Sequence, residues 1–147
     1  ADMHSLIQRL ESKPIDLPRA LLTSLDLIVF LNNVTVNGEP VRRITDVVEV
    51  VKLDPGSNRL VTMTPFQWVS EIDDKFSNMG GSRILHDMKI EYGWSEKDLQ
   101  KELQNRRDVL TWMIKNNMRS YSDVGEIVAD YKKDQVGLMK KIKEDKK

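Results

Sequence analysis

Cysteine is absent from the 147 residues, and histidine occurs only as His4 and His86. Without cysteine the chain has no disulfide framework, no thiolate metal site and no cysteine nucleophile, which is compatible with a reducing cytoplasm. The two histidines lie far apart, and neither has an acidic or histidine neighbour at ligand spacing. We therefore expect no metal site.

An excess of charge of one sign and long apolar runs are also missing. The chain has 23 basic and 23 acidic residues, and this balance argues against a protein that coats nucleic acid. No apolar run approaches the roughly 20 residues of a membrane span, and no signal peptide opens the chain. We expect a soluble, cytoplasmic protein that is long enough to fold without a covalent staple.

Motifs for catalysis and nucleotide binding are missing as well. The sequence has no G-x-x-x-x-G-K-[ST] phosphate loop, no G-x-S-x-G elbow and no H-E-x-x-H pair. Gly80-Gly81 lacks the preceding buried strand, the spacing and the lysine of a phosphate loop, so we interpret it as a linker. We predict no catalytic and no nucleotide-binding residue in this chain.

The most informative segment that is present is a long β-hairpin around Asn37-Gly38. Residues 27–31 form an apolar run rich in β-branched and aromatic residues, which predicts a wholly buried strand. Asn-Gly provides two residues that tolerate the positive φ of a type I′ turn, and residues 39–51 form the return arm. This turn sets two facing pairs: Val36 with Glu39, and Leu31 with Ile44.

Further strands are predicted after the hairpin. A turn cluster at 54–58 precedes a third antiparallel strand from Arg59 to Thr64, which Pro65 ends or places at an edge. Residues 66–76 can add one more short strand pair that turns at Asp73-Asp74.

Helices are predicted before the hairpin and after the linker. Residues 3–10 have helical apolar spacing with Asp2 as N-terminal cap, and Pro18 opens a second short helix. Three helices follow the linker: 84–92, 95–116 with a Ser95–Asp98 capping box, and a last helix that starts at Ser120 or Ser122. The residues expected on the apolar sides of the last two helices are Leu99, Leu103, Leu110, Met113, Ile114, Val124, Ile127, Val128, Tyr131, Leu138 and Ile142, with Trp112 flanking.

These elements predict an α+β fold with an antiparallel hairpin or meander, preceded by short helices and followed by three C-terminal helices. We divide the chain into a portion of mixed helices and strands at 1–76, a linker at 77–82 and a helical part at 83–147.

Arg42-Arg43 is the charged pair of greatest functional interest. Adjacent strand residues point to opposite faces, so only one of the two can face a given partner or phosphate. The plainer interpretation is a weak, solvated ion pair with Asp46 or Glu49 on the same arm. Asp73-Asp74 resembles an acidic metal site, but neighbouring aspartates at a turn more often accept hydrogen bonds from the local backbone.

Several ordered segments carry a family resemblance: Leu6-Ile7-Gln8-Arg9-Leu10, Lys13-Pro14-Ile15, Pro18-Arg19-Ala20-Leu21-Leu22, Leu25-Asp26-Leu27-Ile28-Val29-Phe30, Val41-Arg42-Arg43-Ile44-Thr45-Asp46-Val47-Val48-Glu49-Val50, Val109-Leu110-Thr111-Trp112-Met113 and Asn117-Met118-Arg119-Ser120-Tyr121. In this order and spacing they resemble the secretion ATPases of the type II/type IV superfamily, particularly the archaeal flagellar and pilus motor branch.

The resemblance implies that the chain is the C-terminal part of a RecA-like motor. The hairpin would complete the motor sheet, and the three helices would form a C-terminal appendage. In such motors the phosphate loop, the acidic strand and a histidine-containing box precede the helix that begins here at about Asp2, so His4 does not take the role of the box histidine. ATP and Mg²⁺ are expected for the parent protein, and this chain alone is expected to be inactive.

The resemblance also implies partners and a location. The family forms homo-hexameric rings, which need head-to-tail interfaces, and it pushes on a membrane platform protein at the inner face of the cell membrane. Arg42 and Arg43 are the candidate contacts, and no nucleic acid is expected. If the other strands of the sheet lie outside this chain, part of the 27–31 arm should lack its cover, and the chain should associate or be marginally stable.

Two alternatives stay open. One is an autonomous protein-interaction module without a motor. The other is a nucleic-acid-binding domain built on the helical third, which is disfavoured because Glu96, Asp98 and Glu102 would be repelled by a phosphate backbone.

Overall fold

A computed structural model describes residues 2–70 and 72–145, and it confirms the predicted α+β class. The elements are, in order, α1 (Met3–Glu11), a 3₁₀ helix (Arg19–Ser24), β1 (Leu27–Val36), β2 (Glu39–Asp54), β3 (Arg59–Ser70), β4 (Lys75–Asn78), α2 (Arg83–Tyr92), α3 (Glu96–Lys115), α4 (Tyr121–Lys133) and α5 (Gln135–Glu144). The chain forms two compact units, residues 1–88 and 89–147.

The four strands form an antiparallel sheet in the order β1-β2-β3-β4. The predicted hairpin is confirmed: Asn37 and Gly38 have φ of 50° and 85° and connect β1 to β2. Both predicted pairs, Val36 with Glu39 and Leu31 with Ile44, occur in the register. The register was predictable because a two-residue turn leaves one pairing for the strands on either side of it.

The prediction that residues 27–31 are wholly buried is wrong. Phe30 is buried, but Leu27, Val29 and Leu31 are between 42% and 49% exposed. Successive residues of a strand point to opposite faces, and the face that carries Leu27, Val29 and Leu31 is only partly covered by the described residues. The continuous apolar run at 27–31 predicted that both faces of this strand are buried, whereas the structure buries only one of them.

Pro65 does not end the third strand, which continues to Ser70. The β2–β3 register shifts between Val47 and Glu49, where Pro65 adds one residue to β3 opposite them. A proline is tolerated at such a bulge because the ladder is already interrupted there. The Pro65 carbonyl accepts a hydrogen bond from Met79 N at 2.8 Å, and its side chain is fully buried.

The predicted elements before the sheet are confirmed. Asp2 caps α1 by accepting from Ser5 N at 2.9 Å. The second helix is a 3₁₀ helix that contributes the buried Leu22 and packs on β2. The Arg19 guanidinium binds Glu11 and donates to the Asn58 carbonyl at 3.0 Å, so it connects the 3₁₀ helix to α1 and to the β2–β3 turn.

Four helices, rather than three, follow β4 in the described part of the chain. The Ser95–Asp98 capping box is present, and Ser120 is the N-cap of α4. The predicted last helix is divided at Asp134, which leaves helical geometry (φ −146°, ψ 73°) and caps α5 by accepting from Gly137 N at 2.9 Å. Ser77 and Asn78, placed in the linker from sequence, belong to β4.

Residues 89–147 have a hydrophobic core of their own, contributed by α3, α4 and α5: Val109, Trp112, Met113, Ile127, Leu138, Met139 and Ile142. Trp112 is buried within this core, and its Nε1–H donates to Asp145 Oδ2 at 3.0 Å. Leu110, Ile114, Val124 and Val128 are exposed, so their predicted inward placement is wrong.

Candidate functional site

Arg43 lies in a small polar cluster on the sheet with Asp74 and Trp68. Its Nε and Nη2 donate to the Asp74 carboxylate at 2.8 and 2.6 Å, and Trp68 Nε1–H donates to the same carboxylate at 3.0 Å. Paired donors from one guanidinium fix the orientation of a carboxylate better than a single contact does. The cluster therefore joins β2 to the β3–β4 turn.

Two expectations about these charges are wrong. Arg43 pairs with Asp74, while Asp46 accepts from Gln67 Nε2 at 2.9 Å and Glu49 is engaged elsewhere. Among the described residues Asp74 accepts from the Arg43 and Trp68 side chains instead of the expected local backbone, and for Asp73 the backbone role remains a prediction. The Arg43 guanidinium lowers the pKa of Asp74, and the Trp68 indole adds a smaller lowering.

Arg42 and Arg43 differ in their availability to a partner. Arg42 is exposed, whereas Arg43 is half-buried and its guanidinium is occupied by Asp74. The Arg43 Nη1 also donates to the Arg42 carbonyl at 2.9 Å, and this bond further fixes the Arg43 side chain. Of the two candidate contacts, Arg42 is the exposed one and forms no ion pair with another described residue, and contact with a partner remains a prediction for both.

Glu49 is a buried carboxylate whose role was missed from sequence. It is 2% exposed, and it holds the start of α2. Its Oε1 accepts from Ser82 Oγ at 2.5 Å, and its Oε2 accepts from the backbone N–H groups of Arg83 and Ile84 at 2.8 and 3.3 Å. A carboxylate satisfies these otherwise unpaired amides and interacts favourably with the helix dipole. The sequence feature that could have indicated this role is that Glu49 is the single acidic residue within the apolar run Val47–Val51.

The Gly80-Gly81 segment fits closely against the sheet just before this contact. Both glycines have positive φ, 79° and 75°. A Cβ on Gly81 would lie 2.9 Å from the Met63 Cε, closer than real side chains come. Gly80 N donates to Asn78 Oδ1 at 2.8 Å. The two glycines thus turn the chain from β4 towards the contact of Ser82 with Glu49.

One face of the sheet exposes a contiguous set of apolar side chains from the hairpin. Leu27, Val29 and Leu31 of β1 alternate onto this face, and Ile44, which pairs with Leu31, is 41% exposed beside them. Among the described residues β1 has one strand neighbour, β2, and lies at the edge of the sheet. An apolar patch on a sheet that also has an open edge is a typical protein-contact surface.

Within 2–70 and 72–145, no group of three or more His, Asp or Glu residues could hold a metal ion, and the sequence has no phosphate loop. None of the described helices is long and apolar enough to cross a membrane.

Comparison with known proteins identifies a family. A family model described as PilB3-like, C-terminal matches residues 72–147, which is just over half of the chain. Three similar proteins come from Methanocaldococcus jannaschii and are themselves uncharacterized. MJ0781 is 26% identical over 93% of this chain and 19% of its own length, MJ1287 is 28% identical over 87% and 47%, and MJ0900 is 28% identical over 94% and 26%. The chain thus spans less than half the length of each of these relatives.

Proposed function

Because the chain belongs to the PilB3-like, C-terminal family, we propose that it is the C-terminal region of a pilus or secretion ATPase. We assign the parent protein to the type II/type IV secretion superfamily, in the archaeal flagellar and pilus motor branch. The family match over residues 72–147 carries this proposal. The greater length of the three relatives supports it, because a motor needs parts that these residues do not contain.

In this proposal the four-stranded sheet completes a larger RecA-like sheet. The exposed apolar face of Leu27, Val29, Leu31 and Ile44 supports it, since burying such a face against the motor domain would be favourable by about 25 cal/mol per Å² of apolar surface. The open edge of β1 offers backbone groups to a further strand.

The proposed role of the chain is contact and force transmission, without nucleotide chemistry. ATP and Mg²⁺ bind elsewhere in the parent protein, which assembles as a homo-hexameric ring at the inner, cytoplasmic face of the cell membrane. The ring acts on a membrane platform protein. Glu49 supports a mechanical role, because it ties the sheet to the start of α2, within the same compact unit, through three hydrogen bonds.

The test is a truncation of the intact parent protein from Gly80 onward, which leaves β4 complete. We expect the truncated protein to bind ATP and to lose filament assembly or nucleotide-dependent hexamer formation. ATP binding serves as the control for folding. Assembly at the normal rate with normal hexamers would overturn the proposal.

A second candidate is an autonomous protein-interaction module, favoured by the separate core of residues 89–147. The two candidates differ in what precedes this region in the same open reading frame. A phosphate loop there supports the motor, and its absence supports the module.

A further inference from the structure

The helical unit exposes apolar side chains on two of its helices. Leu110 and Ile114 on α3 are 59% and 67% exposed, and Val128 on α4 is 56% exposed. Leu110 and Ile114 are one helical turn apart, as are Val124 and Val128, so each helix presents a short apolar stripe. These stripes lie beside the core residues Met113 and Ile127.

One residue of each stripe, Leu110 on α3 and Val128 on α4, lines a common groove. α5 packs against both α3 and α4, and the groove between α3 and α4, about 350 Å³ in volume, is lined by residues of those two helices alone. Its apolar lining includes Val109, Leu110, Met113, Ile127 and Val128. Three helices with an open apolar groove leave a position that a fourth helix would fill, as in a four-helix bundle.

One end of the groove is cationic. Arg106 Nε donates to Glu102 at 2.8 Å, and Tyr131 Oη donates to the same carboxylate at 3.0 Å. Because Glu102 binds both Arg106 and Tyr131, these two residues lie at the same end of the groove, and Lys132, which follows Tyr131 on α4, also lines the groove. Glu102 neutralises Arg106, while Lys132 makes no ion pair among the described residues. The groove lining contains no carboxylate.

We propose that this groove binds an amphipathic helix of a partner protein, with apolar side chains at i, i+3, i+4 and i+7 and carboxylates at one end. The apolar residues pack on Leu110 and Val128, and the carboxylates pair with Lys132. This is helix-in-groove recognition with a charged end that sets orientation. A second copy of the same groove is disfavoured, because the carboxylate at its end, Glu102, already accepts hydrogen bonds from Arg106, Tyr131 and Gln135 of its own chain.

This inference rests on residues of the helical unit alone and is independent of the motor assignment. The test uses the full 147-residue chain, labelled with ¹⁵N, and a synthetic peptide of about 18 residues, long enough to form a helix. The peptide has leucines at the stated spacing and two glutamates at one end. We expect saturable binding, with amide shifts concentrated at the groove residues of α3 and α4.

Charge-swapped variants test the orientation. Lys132→Glu should weaken binding about tenfold, equivalent to about 1.4 kcal/mol, and a peptide with lysines in place of its glutamates should restore it. Lys133→Glu is the matched control, because Lys133 is exposed but does not line the groove. Equal weakening by both variants would show unspecific attraction and overturn the proposal.

Apolar variants test the groove itself. Leu110→Asp and Val128→Lys should each abolish peptide binding, and both positions are exposed, so the helical circular dichroism should stay unchanged. Peptide binding by both variants at the original affinity would overturn the proposal. So would self-association of the chain that Leu110→Asp removes, because the occupant would then be a second copy.

Discussion

Glu49 shows how one side chain couples two parts of a fold. Its carboxylate accepts three hydrogen bonds while being almost completely removed from water. Glu49→Gln keeps the size of the side chain but replaces an acceptor oxygen by an NH₂ group that faces donors. Because buried donors are then left unpaired, we expect a loss of about 2 kcal/mol in the free energy of unfolding, measured by urea denaturation.

Glu39→Gln is the control for that variant. Glu39 is on the same strand and is exposed beside the hairpin turn, so its substitution should change stability by no more than about 0.5 kcal/mol. Equal effects of the two substitutions would contradict the anchoring role of Glu49.

The pair of Arg43 with Asp74 predicts a dependence on pH. The Arg43 guanidinium lowers the pKa of Asp74 in the folded protein. The stabilisation is therefore complete above the ordinary aspartate pKa of about 3.9, and it is lost as pH falls through the lower folded value. Because Trp68 Nε1–H donates to Asp74, its NMR shift should titrate in that acidic range.

Asp74→Asn should remove this titration of the Trp68 indole. Asp73→Asn should preserve it, since the bonds that Arg43 and Trp68 form are to Asp74. An indole shift that still titrates in Asp74→Asn would exclude Asp74 as the titrating group.

Arg43 could be singled out from sequence, but its partner could not. Asp46 and Glu49 were the obvious acids because they lie on the same strand, whereas Asp74 is 31 residues away and is brought near by the β3–β4 turn. The local sequence shows which charged side chains need an ion-pair or hydrogen-bond partner. Only the register of β3 and β4 shows which partner is within reach.

At the scale of elements, two helical glycines should respond differently to substitution by alanine. Gly125 in α4 has open space where a Cβ would lie, so Gly125→Ala should stabilise the protein by about 1 kcal/mol through helix propensity. At Gly137 in α5 the new Cβ would overlap Asp134 Oδ2. Gly137→Ala must displace the Asp134 cap, whose loss costs about 1 kcal/mol. We expect no net gain at Gly137 in thermal unfolding.

The Asp134→Ala background isolates this effect. Without the cap there is nothing for the new methyl group to displace, so Gly137→Ala should then stabilise the protein about as much as Gly125→Ala does. A gain at Gly137 of equal size with and without Asp134 would contradict the explanation.

The ends of helices were more predictable than their faces. The Ser95–Asp98 box acts within one turn, so a few residues suffice to predict the start of α3. The inner face of α3 was ambiguous because Val109 to Ile114 contains apolar residues almost all round the helix. Packing with both α4 and α5 places Val109, Trp112 and Met113 in the core, and this arrangement includes a helix, α5, whose separate start at Asp134 was not predicted.

At the scale of the whole molecule, the exposed sheet face is the feature that a longer protein would explain. The sequence predicted an apolar strand, and the resemblance predicted that part of it would lack its cover. The structure has Leu27, Val29, Leu31 and Ile44 exposed together. Packing within the chain buries the face of β1 that carries Phe30. The opposite face of β1 stays half-exposed, so only one face of this strand is fully covered.

The exposed sheet face predicts that the 147-residue chain self-associates in isolation. Contact between two such faces removes apolar surface from water, so sedimentation velocity should show a mass that rises with protein concentration. Val29→Lys places a charge at the centre of the face and should return the chain to a monomer. Thr35→Lys is the matched control, because Thr35 is exposed farther along the same strand, beyond the apolar stretch. If Val29→Lys still self-associates, the copies contact each other through another surface. That result would contradict the explanation that the exposed sheet face lacks its natural cover.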